Sequence, residues 1–118
     1  MSIQSIFDEI ESVTYTALVG ICSGSKCFMD VVRERPEYKN LVENYDEDVI
    51  IKRVHELLQR DFDHNYERPW TEAIATYFIV LFDCGSQKVQ ELIRFVWSQE
   101  PSGLWPRWIG GKILEALE

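Results

Sequence analysis

The sequence predicts an all-α fold, and three observations carry that expectation. Apolar residues recur at three- and four-residue spacing along almost the whole chain. Prolines and capping residues stand where helices would begin, and glycines where they would stop. No stretch bounded by turns sustains the two-residue alternation of a half-buried strand, and YFIV (77–80) lies inside a longer helical pattern. The expectation is six to seven helices and no sheet.

In the first segment Ile3, Ile6, Phe7, Ile10, Val13, Ala17 and Leu18 form one apolar stripe. Ser2 is placed to cap it, Gly20 to stop it, and Asp8, Glu9 and Glu11 are assigned to its outer face. CSGS (22–25) reads as a turn, followed by a short helix over about 26–35 with Phe28, Val31 and Val32 inward. Pro36 ends that helix and opens the next, whose stripe is Tyr38, Leu41, Val42 and Tyr45. Asp46, Glu47 and Asp48 then mark a new start, because carboxylates there complement the helix dipole. This helix buries Val49, Ile50, Val54, Leu57, Leu58 and Phe62, with Lys52, Arg53 and Arg60 along it.

A polar connection, His64 to Arg68, leads to Pro69 and Trp70, which open the most apolar helix. Ala73, Ile74, Tyr77, Phe78, Val80, Leu81 and Phe82 cover nearly its whole circumference, so it belongs at the centre of the fold. Gly85 stops it. Ser86 is read as the cap of a helix carrying Val89, Leu92, Ile93, Phe95, Val96 and Trp97 inward. Pro101 to Pro106 (PSGLWP) reads as a break before a last helix with Trp108, Ile109, Ile113, Leu114 and Leu117.

Two arrangements fit these elements. Pro36, Pro69 and Pro106 each open a helix, and their spacing falls near the ~33–47-residue period of helical-hairpin arrays. A short stack of HEAT-like hairpins is therefore one expectation. Only proline and one aromatic recur, so a compact bundle is the other.

The 118 residues suit a single domain spanning 1–118, and the 46% hydrophobic and 13% aromatic content suffices for a packed core. Twenty acidic against twelve basic side chains give a net charge of −8. That sign repels nucleic-acid phosphates and anionic lipid heads and attracts a basic partner, although it also serves solubility. The opening MSIQSIFDEI lacks the basic start of an export signal, and the longest apolar run, 73–82, is about half a membrane span. Three cysteines without a C-x-x-C pair read as reduced thiols, and the expected location is the cytoplasm.

Few residues suggest chemistry. Asp61, Asp63, His64 and Glu67 carry oxygen and nitrogen donors that could hold a divalent metal, but no pair of histidines has helical ligand spacing. A polar helix connection is the simpler reading. Cys22 and Cys27 flank Lys26 near a helix start, yet no histidine is near in sequence, and Cys84 reads as packing. Ser23-Gly24-Ser25-Lys26 lacks the strand, the glycine spacing and the hydroxyl of a phosphate loop. Trp97 and Trp108 are expected to plug the end of the helices. Trp105, in a Gly- and Pro-flanked turn, is expected to be an exposed anchor.

Acids concentrate at Glu37, Glu43, Asp46, Glu47 and Asp48, and again at Asp61, Asp63, Glu67 and Glu72. A small, acidic, helical chain with no evident catalytic group or cofactor motif reads as a protein-binding module. In size, charge and class it resembles bacterial immunity proteins, which neutralise toxin domains in the cell that makes them. The resemblance implies an inhibitor of a basic, nuclease-type toxin. On that reading Glu43, Asp46, Glu47, Asp48, Asp61, Asp63 and Glu67 face basic side chains of the partner, with Tyr66 or Trp105 as apolar anchor. The alternatives are a helical scaffold that binds a peptide in a groove, and a metal protein or enzyme built on 61–67. A homodimer through the Trp-rich end is also open.

Overall fold

Every residue from Ala73 to Leu81 is fully buried, and these nine side chains mark the centre of the molecule. The computed structural model describes residues 2–12, 28–63, 69–98 and 104–117. Among them are seven helices: α1 (Ile3–Ser12), α2 (Phe28–Arg33), α3 (Pro36–Glu43), α4 (Glu47–Asp63), α5 (Pro69–Asp83), α6 (Val89–Ser98) and α7 (Leu104–Leu117). No strand occurs among the described residues.

The caps follow local chemistry. The Ser2 hydroxyl accepts from the Ser5 N–H at 3.2 Å, and an Asp46 carboxylate oxygen accepts from the Val49 N–H at 3.3 Å. Arg35 is extended (φ −78°, ψ 142°), as Pro36 requires of the residue before it. Gly85 sits at φ 77° and closes α5, with Ser86 N–H donating to Leu81 C=O at 2.9 Å and Gly85 N–H to Phe82 C=O at 3.1 Å. Ser86 lies two residues before the cap position, which Lys88 occupies. Its hydroxyl accepts from Lys88 N–H at 3.1 Å, while the Lys88 carbonyl takes the first helical bond, from Leu92.

α5 packs against each of the other six helices, most extensively against α7. α1 also packs on α3, α2 on α3, and α6 on α7. In a linear stack each unit would touch only its neighbours. A hub touching everything is the bundle arrangement, and the nearly equal extents of 34 × 32 × 30 Å agree with it. One cluster of buried apolar residues draws on all seven helices, from Ile6 and Ile10 through Leu41, Val54 and Phe78 to Ile93 and Ile113. α6 and α7 meet closely at Gly110, where a β-carbon would lie 2.8 Å from the Ile93 Cγ2.

Four expectations change. α7 begins at Leu104, so Trp105 and Pro106 belong to its first turn and not to a break. Proline is tolerated there because the early N–H groups of a helix lack intrahelical partners. Phe95 points outward and is 40% exposed, whereas Met29 joins the core from α2. Glu11 faces inward, because Arg53 and Tyr77 wait there for its carboxylate. The segments 13–27, 64–68 and 99–103 lie outside the described residues, and with them the expected roles of Gly20, Cys22, Cys27, Tyr66 and Glu67.

Candidate interaction surface

The start of α4 meets the turn between α5 and α6. Asp46 caps α4, and the next two acids reach across the turn. The Ser86 hydroxyl donates to the Glu47 carboxylate at 2.6 Å, and the Lys88 ammonium lies 3.1 Å from Asp48. This last pair is open to solvent, with side chains 82% exposed for Asp48 and 58% for Lys88. Hydrogen bonding to Asp48, then the charges of Asp48, Glu47 and Glu91, raise the Lys88 pKa. Burial, then the Glu47 charge, pushes the nearby Tyr45 hydroxyl upward. Glu43 is exposed at the end of α3.

Beside this cluster runs a groove of about 290 Å³, lined by Ile51 and His55 of α4, Lys88 of the turn, and Glu91, Leu92 and Phe95 of α6. The His55 and Phe95 rings lie 4.6 Å apart at 58°. Helical periodicity places Phe95 with the core residues of α6, and no motif marks His55 or Glu91. The usable signal is that 88, 91, 92 and 95 occupy one helical face, with Leu92 buried beneath a charged pair and an outward ring.

The structure therefore gathers Asp46, Glu47 and Asp48 around one turn. Asp61 and Asp63 lie on the last turn of α4, about 20 Å further along the helix axis at 1.5 Å per residue. The two acidic groups are opposite ends of one helix. Nothing is described of the side chains of Asp61, Asp63 and Trp105, and Tyr66 and Glu67 lie outside the described residues.

Two other charged groups are paired within the fold, one nearly buried and one at the surface. Arg53 of α4 donates from Nε to a Glu11 carboxylate oxygen at 2.8 Å and from a terminal nitrogen to the other oxygen, while the Tyr77 hydroxyl donates to Glu11 at 2.6 Å. The guanidinium carbon sits 5.9 Å from the Phe7 ring centroid, and Phe7 meets Tyr77 edge-on at 5.4 Å. The bond to Glu11 raises the Arg53 pKa against the opposing effect of burial. At the end of α5, Asp83 repeats the pattern. Arg33 donates to it at 2.8 and 2.7 Å, and Tyr38 donates at 2.5 Å. Each carboxylate thus takes a two-pronged arginine and a tyrosine, and each ties α5 to distant parts of the chain.

Burial, then Asp83, raises the Cys84 thiol, which disfavours the thiolate a nucleophile needs and fits a packing role. Among the described residues no three His, Cys, Asp or Glu side chains converge as a metal site, and no helix is long and apolar enough to cross a membrane. No family model, no curated protein and no solved structure matches the chain.

Proposed function

We propose that this chain is a protein-binding module for a basic partner, and in its sharpest form an inhibitor that neutralises a basic, nuclease-type toxin domain by direct binding. It acts by occupying a surface, not by catalysis. The observation that carries this reading is where the charges sit. Arg53 and Arg33 are engaged by Glu11 and Asp83, the former with only 7% of its side chain exposed. Glu43, Asp46 and Asp48 remain exposed on a chain of net charge −8. A nuclease grips phosphates with lysines and arginines, and carboxylates compete for that grip.

The inhibitor is expected to be cytoplasmic, where it protects the cell that makes the toxin. Co-purification from the source cells, followed by association kinetics at low and high ionic strength, tests the reading. Electrostatic steering predicts a fall in association rate of roughly 10- to 1,000-fold as salt rises. The captured partner should also lose nuclease activity when the chain is added in equal amount. A salt-independent rate, or a partner with no basic surface, would reject it.

One observation favours a second reading. The groove between α4 and α6 carries an exposed aromatic ring and fits a scaffold that holds a peptide. Binding by such a scaffold is dominated by apolar contact and changes little with salt.

A further inference from the structure

We infer that α2 and α3 form a strap over the end of α5, fastened by the Asp83 carboxylate, and that this strap opens while the rest of the fold stays closed. The inference stands apart from the binding reading and concerns how the domain moves.

One carboxylate holds both helices. Arg33, the last residue of α2, reaches Asp83 through two nitrogens at 2.8 and 2.7 Å, and Tyr38 of α3 donates to the same group at 2.5 Å. Asp83 ends α5, where the carbonyl pole of the helix opposes a negative charge. The two donors therefore answer a charge that the helix itself disfavours. Between α2 and α3 the chain turns within Glu34 and Arg35, whose N–H groups donate to the Val31 and Val32 carbonyls at 3.2 and 3.0 Å. A connection this tight couples the two helices as a pair.

The rest of the fold has its own fastening. Glu11, Arg53 and Tyr77 join α1, α4 and α5 to one another. α1 also packs on α3, but it keeps its own clamp when α3 leaves. The two clamps share their chemistry and differ in their access to water. Arg53 and Glu11 are 7% and 13% exposed, against 34% and 21% for Arg33 and Asp83. Water solvates the charges of the outer clamp as it opens, whereas opening the inner one strands them nearly dry. The strap is also light in apolar burial. Among its described side chains Met29, Val31, Val32 and Leu41 are buried, against every residue from Ala73 to Leu81 in α5. Segments held by solvated polar contacts and few buried side chains open below the free energy of global unfolding.

Native-state hydrogen exchange on the whole chain, in the regime where rates follow opening equilibria, tests this. Amides of Arg35, Leu41 and Val42 report on the strap, and those of Phe78, Ile79 and Val80 on the core. Strap amides should exchange at least about tenfold faster than core amides. Ile113→Val trims a buried side chain of α7, and should speed the core amides by roughly threefold to tenfold while leaving the strap amides unchanged. Asp83→Ala should speed both sets, the strap by about tenfold or more, because the clamp is lost in the open strap and in the unfolded chain alike. If Asp83→Ala does not fold, Arg33→Met removes one arm of the clamp and should speed the strap by about threefold or more. Strap amides that follow the core amides in Ile113→Val would show a single cooperative unit and overturn the inference. So would strap amides that keep their original rate in Asp83→Ala or, in its place, Arg33→Met.

Discussion

Arg53 and Glu11 stand 42 positions apart and meet in a two-pronged ion pair that fastens α4 to α1. Their side chains are 7% and 13% exposed, so either charge alone would be left nearly dry. Breaking such a pair from one side costs about 3–5 kcal/mol, mostly from the charge left behind. Glu11→Ala or Arg53→Ala should each lower stability by that order in urea unfolding. Glu11→Leu with Arg53→Met should recover most of it, since apolar replacement of both partners removes the stranded charge. A double variant as weak as the sum of the singles would show that the pair is not coupled.

How such a pair escapes the sequence is instructive. Glu11 shares α1 with Asp8 and Glu9, which are exposed, and nothing local separates the three. Only the distant Arg53 and Tyr77 determine that Glu11 turns inward. By contrast, α5 was legible because residues 73–81 carry no charge on any face, and a helix without a polar side has one place to go. The caps at Ser2, Asp46 and Gly85 were legible for the same local reason. Phe95 was not, since its neighbours Leu92, Ile93 and Val96 already fill the inward arc of α6 and periodicity does not rank them. The acids of α4 were found as residues, but their division between two ends of a helix needed its length.

Tyr38 links folding to alkaline pH. Burial, then the bond to Asp83, raises its pKa well above the ordinary 10.0. The folded state therefore holds this proton where the unfolded chain releases it. The contribution is complete below about pH 10 and is lost as pH rises beyond it. Tyr38→Phe should cost about 1.5–3 kcal/mol at neutral pH for the bond to a charged acceptor, and should flatten the fall in stability above pH 10. Urea midpoints across pH 7–11 check this, and parallel slopes for the two proteins would count against it.

Two adjacent glycines should respond with opposite sign. At Gly110 an added methyl would meet Ile93 at 2.8 Å, and the branched carbon of isoleucine has little room to withdraw. Gly110→Ala should cost about 1–3 kcal/mol through overpacking of α6 on α7. At Gly111 a β-carbon meets nothing within 4 Å, so Gly111→Ala should gain roughly 0.5–1 kcal/mol from reduced backbone freedom. Ile93→Leu, which removes the Cγ2 branch, should restore part of the loss when combined with Gly110→Ala. Thermal melts read all three.

The acids at the start of α4 divide by what they touch. Glu47 accepts from Ser86 in a part-buried bond, so Ser86→Ala should lower stability by about 1–2 kcal/mol. Asp48 is almost fully solvated, and Asp48→Asn should leave the melting temperature unchanged while slowing association with a basic partner. Equal stability losses at the two positions would place both acids in the scaffold.

The central position of α5 also orders events in time. Residues 28–63 are synthesised before α5, and so is α1, yet each of these helices packs on α5, and α4 packs most extensively there. Until that stretch clears the ribosome, α1 to α4 have only each other, and the apolar stripe of α4 has no buried surface to join. Translation at ~5–20 residues per second leaves such a nascent chain waiting for seconds with its hydrophobic faces uncovered. The helix that completes the core is thus the one whose arrival ends the chain's exposure to chaperones and aggregation.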